Sequence, residues 1–336
     1  LFERWQDGDM SDEVWKSIEP AFPLAEHIHL QGWGEPLLHP CLPQMARAAK
    51  NSGATVGITT NGDLLESAIE WILDERVDLL TLSVAGNSES HARLRGGSPL
   101  GKVLSAVQEL NVRARKSKNR IKTQISYLLT RENAVDMPGV VELAAKAGVS
   151  EFFVIHLDLT PTHSLLNQAA FDQNGLAPGV RKCLDDAEKA ARRRRIKFRG
   201  PTKEPEETLA CALNPARFVF VAWDGRVGPC VNLLFPISGA IPRWDFGGPR
   251  QVEQKCYGGL PDSDLNQILT GDARRAFCEP FIKRLDAEVQ FWKGYSGTCG
   301  LRALKELEVL DSNRSKALSA TPFPNECQGC HKIMGW

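Results

Sequence analysis

The chain has 336 residues, 42% hydrophobic and 24% charged, enough for one large core or two modest ones. Its 41 Lys and Arg balance its 41 Asp and Glu, so net charge supplies neither a nucleic-acid footprint nor an attraction to a membrane surface. No run approaches the roughly 18 apolar residues of a membrane span, and the N-terminus lacks the basic start and apolar stretch of a signal peptide; a cytoplasmic protein is expected.

In chain order, Ser11-Asp12-Glu13 places a capping hydroxyl and two carboxylates at the start of a helix running toward Phe22. His27 to Leu30 reads as a short strand that stops at Gly32-Trp33-Gly34-Glu35-Pro36. Residues 41–52 return to helical spacing and end at Gly53, and Thr55 to Thr60 is β-rich and halts at Asn61-Gly62. Helix follows over Leu64 to Glu75, strand over Leu79 to Val84, helix over Leu100 to Arg115 and strand over Ile121 to Leu129. Val140 to Ala147 is helical up to Gly148, and Phe152 to His156 is another strand.

Strands separated by helices of this length predict right-handed βαβ units and a parallel barrel, complete or partial, with its chemistry in the loops after the strands. Residues 158–176 read as irregular and polar, Val180 to Arg195 as a charged helix whose Arg192 to Arg195 end is solvated, and Ile196 to Phe198 as a short strand. Pro201 to Glu207 reads as a linker, dividing the chain into 1–200 and 201–336. Beyond it the pattern turns to short strands, glycines and cysteines. The chain starts at Leu1 rather than Met and reads as a fragment.

Nine cysteines without secretory features point to thiolate chemistry or metal ligation rather than a disulfide framework. Seven lie after residue 210: Cys211, Cys230, Cys256, Cys278, Cys299, Cys327 and Cys330. Cys211 and Cys230 form one pair, the latter carried back by a hairpin through Asp224-Gly225, and Cys327-Gln328-Gly329-Cys330 forms the second. Four thiolates in two pairs suit either a [4Fe–4S] cluster or tetrahedral zinc. Cys256, Cys278 and Cys299 read as small buried residues, with Cys299, between two nearby glycines, a spare ligand.

The loops carry the remaining signals. Gly32 and Gly34 let a ligand approach the backbone and Glu35 can receive an ammonium group, although an ordinary β-to-α turn with a surface glutamate has the same letters. Asn61-Gly62 either sets an amide near a ligand or supplies a left-handed turn. Ser83 either bonds a sugar hydroxyl or is a serine tied to backbone. His156 ends a strand where a substrate could reach it, or is a hydrogen-bonded core histidine.

Leu30-Gln31-Gly32-Trp33-Gly34-Glu35-Pro36-Leu37-Leu38-His39-Pro40, then Thr59-Thr60-Asn61-Gly62, then Leu82-Ser83-Val84-Ala85-Gly86, resemble in order and spacing the SAM-binding signatures of radical S-adenosylmethionine (SAM) enzymes. The resemblance covers roughly residues 1–160. It implies a partial (β/α)6 TIM-like barrel, with Gly32, Gly34, Glu35, Pro36, Thr60, Asn61 and Ser83 binding SAM: Gly34 and Glu35 at its amino group, Ser83 near its methionine or ribose. Cys211, Gly225 and Cys230, with Tyr257 to Leu260, Leu265 to Leu269 and Arg275 to Phe277, resemble the SPASM/twitch class of auxiliary-cluster domains. The implied second unit is a small cysteine-rich α+β domain holding one auxiliary [4Fe–4S] cluster on Cys211, Cys230, Cys327 and Cys330.

The family's Cys-x-x-x-Cys-x-x-Cys is not in the sequence. Its ligands, with the first strand and the cluster loop, are expected upstream of residue 1, so this polypeptide alone is expected to be inactive. The complete enzyme the resemblance implies is an oxidoreductase or maturase. It draws electrons from a donor such as flavodoxin or ferredoxin and cleaves SAM to a 5′-deoxyadenosyl radical. That radical abstracts hydrogen from a peptide side chain or a small natural product, and no nucleic-acid or membrane partner is implied. The reading from another class is a non-catalytic zinc- or cluster-binding module on a degenerate barrel.

Overall fold

A computed structural model describes residues 2–157, 160–172, 174–295 and 301–335. Helix α1 (Asp12–Ile18) is capped by Ser11, whose hydroxyl accepts from the Val14 N–H at 3.2 Å. Alternation then begins: β1 (His27–Leu30), α2 (Leu42–Asn51), β2 (Thr55–Thr60), α3 (Leu65–Asp74), β3 (Leu79–Val84), α4 (Ser88–Leu94) and α5 (Leu100–Lys116). It continues with β4 (Lys122–Leu129), α6 (Met137–Lys146) and β5 (Glu151–His156). A short helix α7 (His163–Gln168) and a two-stranded ribbon of β6 (Phe171–Asp172) and β7 (Gly175–Leu176) precede α8 (Val180–Arg194) and β8 (Lys197–Arg199).

The strands β1, β2, β3, β4, β5 and β8 lie side by side in that order, every neighbouring pair parallel. This is the partial TIM-like barrel that the alternation of strands and helices predicts. Register explains which residues face the helices. Leu82, Ile125 and Phe152 align across three strands, as do Val84, Tyr127 and Val154, and all six are buried with the apolar stripes of α2, α3, α5, α6 and α8. The side-chain period of two sends the alternate residues to the inner face, and there the row Thr59, Thr81, Gln124 and Glu151 is polar. On that face Gln124 Nε2 donates to Thr81 Oγ1 at 2.7 Å, and His29 Nε2 lies 2.7 Å from Thr59 Oγ1.

A second apolar core forms from residues beyond 210, with Val14 and Ala21 of the N-terminal segment. Its framework is the antiparallel set β9 (Phe220–Val221), β10 (Arg226–Gly228) and β13 (Gly258–Gly259), with β10 central, and the hairpin β11 (Ile241–Asp245) with β12 (Gly248–Val252). Gly225 makes the β9–β10 turn possible: its φ is +83°, and a Cβ there would stand 2.2 Å from the Leu260 carbonyl oxygen.

Three features differ from the sequence reading. Long helices, α10 (Asp272–Gly294) and α11 (Leu301–Ser319), follow α9 (Leu265–Thr270) between the two cysteine pairs, where short strands were expected. The Pro/Glu-rich segment is tied down rather than free: Glu206 N and Thr208 N donate to the carbonyls of Met334 and Ile333 at 3.2 and 2.8 Å. Its Glu207 pairs with Arg284 of α10, 1% exposed, which also donates to the carbonyls of Thr208, Leu209, Leu318 and Thr321. Residues 160–177 contain α7 and the β6–β7 ribbon, held by Arg131, whose Nε donates to the Ala169 carbonyl at 2.7 Å.

Candidate cofactor and cysteine sites

The loops after β1 and β2 meet at Glu35. Its Oε1 accepts from the Thr60 hydroxyl at 2.6 Å and from the Leu37 N–H at 3.0 Å, and its Oε2 accepts from the Asn61 N–H at 2.7 Å. A carboxylate has about four acceptor positions. Three are used, leaving one on Oε2 for an incoming donor. Pro36 opens the single 3₁₀ turn after Glu35, and Gly32 and Gly34 are exposed, with open space where a Cβ would stand. Nothing among the described residues requires glycine at those two positions, and the room they leave opens to solvent.

Thr60 is buried, and its Oγ1 also accepts from the Gly62 N–H at 3.0 Å. The Asn61 side chain does not reach toward Glu35. Its Oδ1 accepts from the Asp63 N–H at 2.9 Å, so the left-handed-turn reading holds for Gly62, at φ +89°, and the Asn61 backbone is what meets the carboxylate. Ser83 lies on the inner face of β3 beside Ser126, and its side chain makes no hydrogen bond among the described residues.

A histidine that sequence reasoning passed over holds the loops after β2 and β3 together. The fully buried His91 of α4 accepts at Nδ1 from the Ala85 N–H at 3.2 Å and contacts Ser98 Oγ through Nε2 at 3.3 Å, while Ser98 donates to Asp63 at 2.6 Å. An Nδ1 acceptor means a neutral ring, in accord with a pKa lowered to about 4, chiefly by desolvation and then by Arg95. Trp33 is the second. Its Nε1 donates to the Leu234 carbonyl at 3.3 Å and its ring lies 4.2 Å from Phe235, anchoring the glycine loop on the second core.

Cys211, Cys230, Cys327 and Cys330 line one cavity, together with Arg243, Asn232, Phe277, Glu326 and Lys332. Cys211 lies in a turn where the N–H groups of Leu213 and Asn214 point at its sulfur, and Cys230 caps a 3₁₀ turn whose Asn232 and Leu233 N–H groups do the same. Burial pushes the Cys230 thiol up to about 12, with Cys330 and Cys211 adding to the shift. Cys327 is raised by burial and then by Cys230, Cys330 and Cys211, and Cys211 is raised by burial foremost. These mutual effects place the four sulfurs within one electrostatic neighbourhood. No three His, Cys, Asp or Glu side chains among the described residues converge tightly enough to hold a single metal ion. The thiols surround a cavity rather than a point.

Arg250 supports the second pair from β12, donating through Nη1 to the Gln328 carbonyl at 2.6 Å and through Nη2 to the Asn325 carbonyl at 3.2 Å. Of the other cysteines, Cys278 is buried as expected and bonds the Pro215 carbonyl. Cys256 is exposed, against expectation, and bonds the Gly258 carbonyl. Cys299 lies outside the described residues. His156 is 1% exposed with its ring 4.7 Å from Phe171, a core position rather than an open one.

A parallel partial barrel whose first two strand-end loops meet at a carboxylate, followed by a cysteine-lined cavity, is similar to the fold and site arrangement of radical SAM proteins. No family model matches it. It is 25% identical over 283 residues to the tungsten-containing aldehyde ferredoxin oxidoreductase cofactor-modifying protein of Pyrococcus furiosus, covering 80% of this chain and 76% of that protein. Over 150 residues it is 27% identical to the AdoMet-dependent heme synthase of Methanosarcina barkeri, covering 44% and 41%. Among solved structures, native anSMEcpe with bound AdoMet superposes with a TM-score of 0.59 at 16% identity, over 95% of this chain and 92% of that one. SuiB of Streptococcus suis bound to S-adenosylmethionine does so at 0.56 and 14% identity, over 80% of this chain and 60% of SuiB. No helix among the described residues is long and apolar enough to cross a membrane.

Proposed function

We propose that residues 1–200 bind SAM at the Glu35 junction and residues 201–336 hold one auxiliary [4Fe–4S] cluster on Cys211, Cys230, Cys327 and Cys330, within an enzyme that modifies a peptide side chain or a small natural product. The convergence of four cysteines, from positions 119 residues apart at the extremes, on one cavity carries this reading. Zinc needs four sulfurs about 2.3 Å from a single centre, whereas a cube spreads its thiolates over four irons. Four thiols lining one cavity suit either centre, and the likeness to radical SAM proteins, which use [4Fe–4S] clusters, favours the cube.

At the other site the open acceptor position of Glu35 Oε2 suits the ammonium of a methionine moiety, and Gly32 and Gly34 leave room for it. Ser83, on the adjacent strand β3, offers its hydroxyl to the methionine or ribose portion. SAM, when bound beside a reducing cluster, supplies the radical that starts the family's chemistry. The chain's own part is to bind and orient: Thr60, Leu37 and Asn61 fix the carboxylate. Relatives support the substrate class, since SuiB has been solved with its precursor peptide SuiA and anSMEcpe with the Cp18Cys peptide.

Anaerobic reconstitution tests the cluster half. The 336-residue chain is expected to turn brown with about four iron and four sulfide per chain, and Cys327→Ser with Cys330→Ser to lose both. A colourless chain that binds one zinc would replace this reading with the non-catalytic module.

A further inference from the structure

Two cationic side chains line the cysteine cavity, Lys332, whose charge acts on Cys211, and Arg243. Arg243, on β11, lines the cavity and is 4% exposed. It makes no hydrogen bond or ion pair among the described residues, and its Nε is fully enclosed. Directly across the hairpin stands Arg250, a like charge, and like charges in opposed positions repel. Arg250 is paired with Asp245 at 3.3 Å and occupied by the Gln328 and Asn325 carbonyls, so it brings no anion to its neighbour. Glu326, the carboxylate that lines the cavity, pairs with Lys255 at 3.7 Å. A buried cation with no partner is costly, and it persists where something else brings the opposite charge.

We propose that Arg243 is the buried counter-ion of the four-thiolate centre, its guanidinium, beside the Lys332 ammonium, balancing the net negative charge that the ligated cysteines carry. The inference rests on the cluster reading above. A cluster ligated by four thiolates is anionic and gains a further negative charge on reduction, so a fixed positive charge stabilises the reduced state more than the oxidised one. Arg243 therefore sets the midpoint potential high, while the cysteines alone hold the irons. In the metal-free chain the same guanidinium is an unpaired buried charge.

Two measurements on the full chain test this. After anaerobic reconstitution, Arg243→Gln is expected to keep the wild-type iron and sulfide content. Its midpoint potential is expected to fall until, at fixed ambient potential, the ratio of reduced to oxidised cluster drops about tenfold, about 59 mV for a one-electron couple. Arg243→Lys is expected to restore most of the shift. An unchanged potential in Arg243→Gln with a full cluster overturns the proposal.

The second measurement survives poor folding of that variant. Metal-free Arg243→Met is expected to melt no lower than metal-free wild type, and the rise in Tm on loading is expected to be smaller in the variant. Equal rises on loading overturn the assignment. A wild-type chain that takes up zinc and no iron sinks the cluster reading instead. The melting comparison, made on the zinc-loaded chains, then still decides whether Arg243 balances the thiolates.

Discussion

At the scale of single residues, Glu35 binds three donors of its own chain before it meets any ligand. Replacing one carboxylate oxygen with an amide NH2 in Glu35→Gln turns an acceptor into a donor. That donor must face either the Thr60 hydroxyl and Leu37 N–H or the Asn61 N–H. A mispaired polar group and a lost charge-assisted bond each cost about 1–3 kcal/mol. The variant is expected to unfold at lower urea concentration and to bind SAM at least about tenfold more weakly, the tenfold being about 1.4 kcal/mol. Wild-type affinity in a calorimetric titration would remove Glu35 from the site.

Glu35 was legible because a glycine-rich stop after a strand is rare punctuation and a carboxylate in it is chemically pointed. His91, Trp33 and Arg243 were not legible. A histidine in a short helix, a tryptophan between glycines and an arginine in a strand are common letters. Their importance comes from partners as remote as Leu234, which is 201 residues from Trp33, and from the cysteine cavity.

At the scale of elements, the six parallel strands were readable because short apolar or β-rich runs alternate with helical spacing, four of them stopping within two residues of a glycine, and their bounds moved by only a residue or two. Helix α10 was obscured by Pro280 inside it and by an apolar pattern that leaves Ile282, Val289 and Trp292 exposed. Helix α7 and the β6–β7 ribbon depend on tertiary bonds from Arg131 and a bridge between Thr130 and Ala169, which no local pattern announces.

The Cys-x-x-Cys turn shows how an element's shape serves its site. Gly329 has φ +72°, and a Cβ there would stand 2.5 Å from Asp245 Oδ2 and 2.9 Å from Arg250 Nη1. Gly329→Ala is therefore expected to lose about 1–2 kcal/mol from backbone strain alone. By pushing the Arg250 clamp off the Gln328 carbonyl, it is also expected to lower iron retention during anaerobic dialysis against a chelator. Full retention would show that Arg250 does not hold the turn.

At the scale of the whole molecule, the cysteine cavity joins strands, turns and the chain's last residues, so its charge state is part of the stability of the second core. In the metal-free chain the Cys230 thiol is raised from about 9 to about 12, and Cys211 and Cys327 are raised too, all chiefly by burial. A group whose pKa is higher folded than unfolded binds its proton more tightly in the folded state. Its contribution is complete below the unfolded value, and it is lost as pH climbs toward the folded one. Between about pH 9 and 12 the unfolded chain sheds thiol protons that the folded chain keeps. Each such thiol then costs about 1.4 kcal/mol of folding stability per pH unit. Loading reverses the sign of the problem, because ligated sulfurs are already thiolates and their protons leave at binding. Urea midpoints measured from pH 7 to 10.5 are expected to fall steeply above pH 9 for the metal-free chain and to stay nearly level for the loaded one. The Cys211→Ser, Cys230→Ser, Cys327→Ser, Cys330→Ser quadruple variant, with no thiols to titrate there, is expected to flatten the metal-free curve. Parallel curves for loaded and metal-free protein would mean that the four sulfurs are not where the bound metal sits.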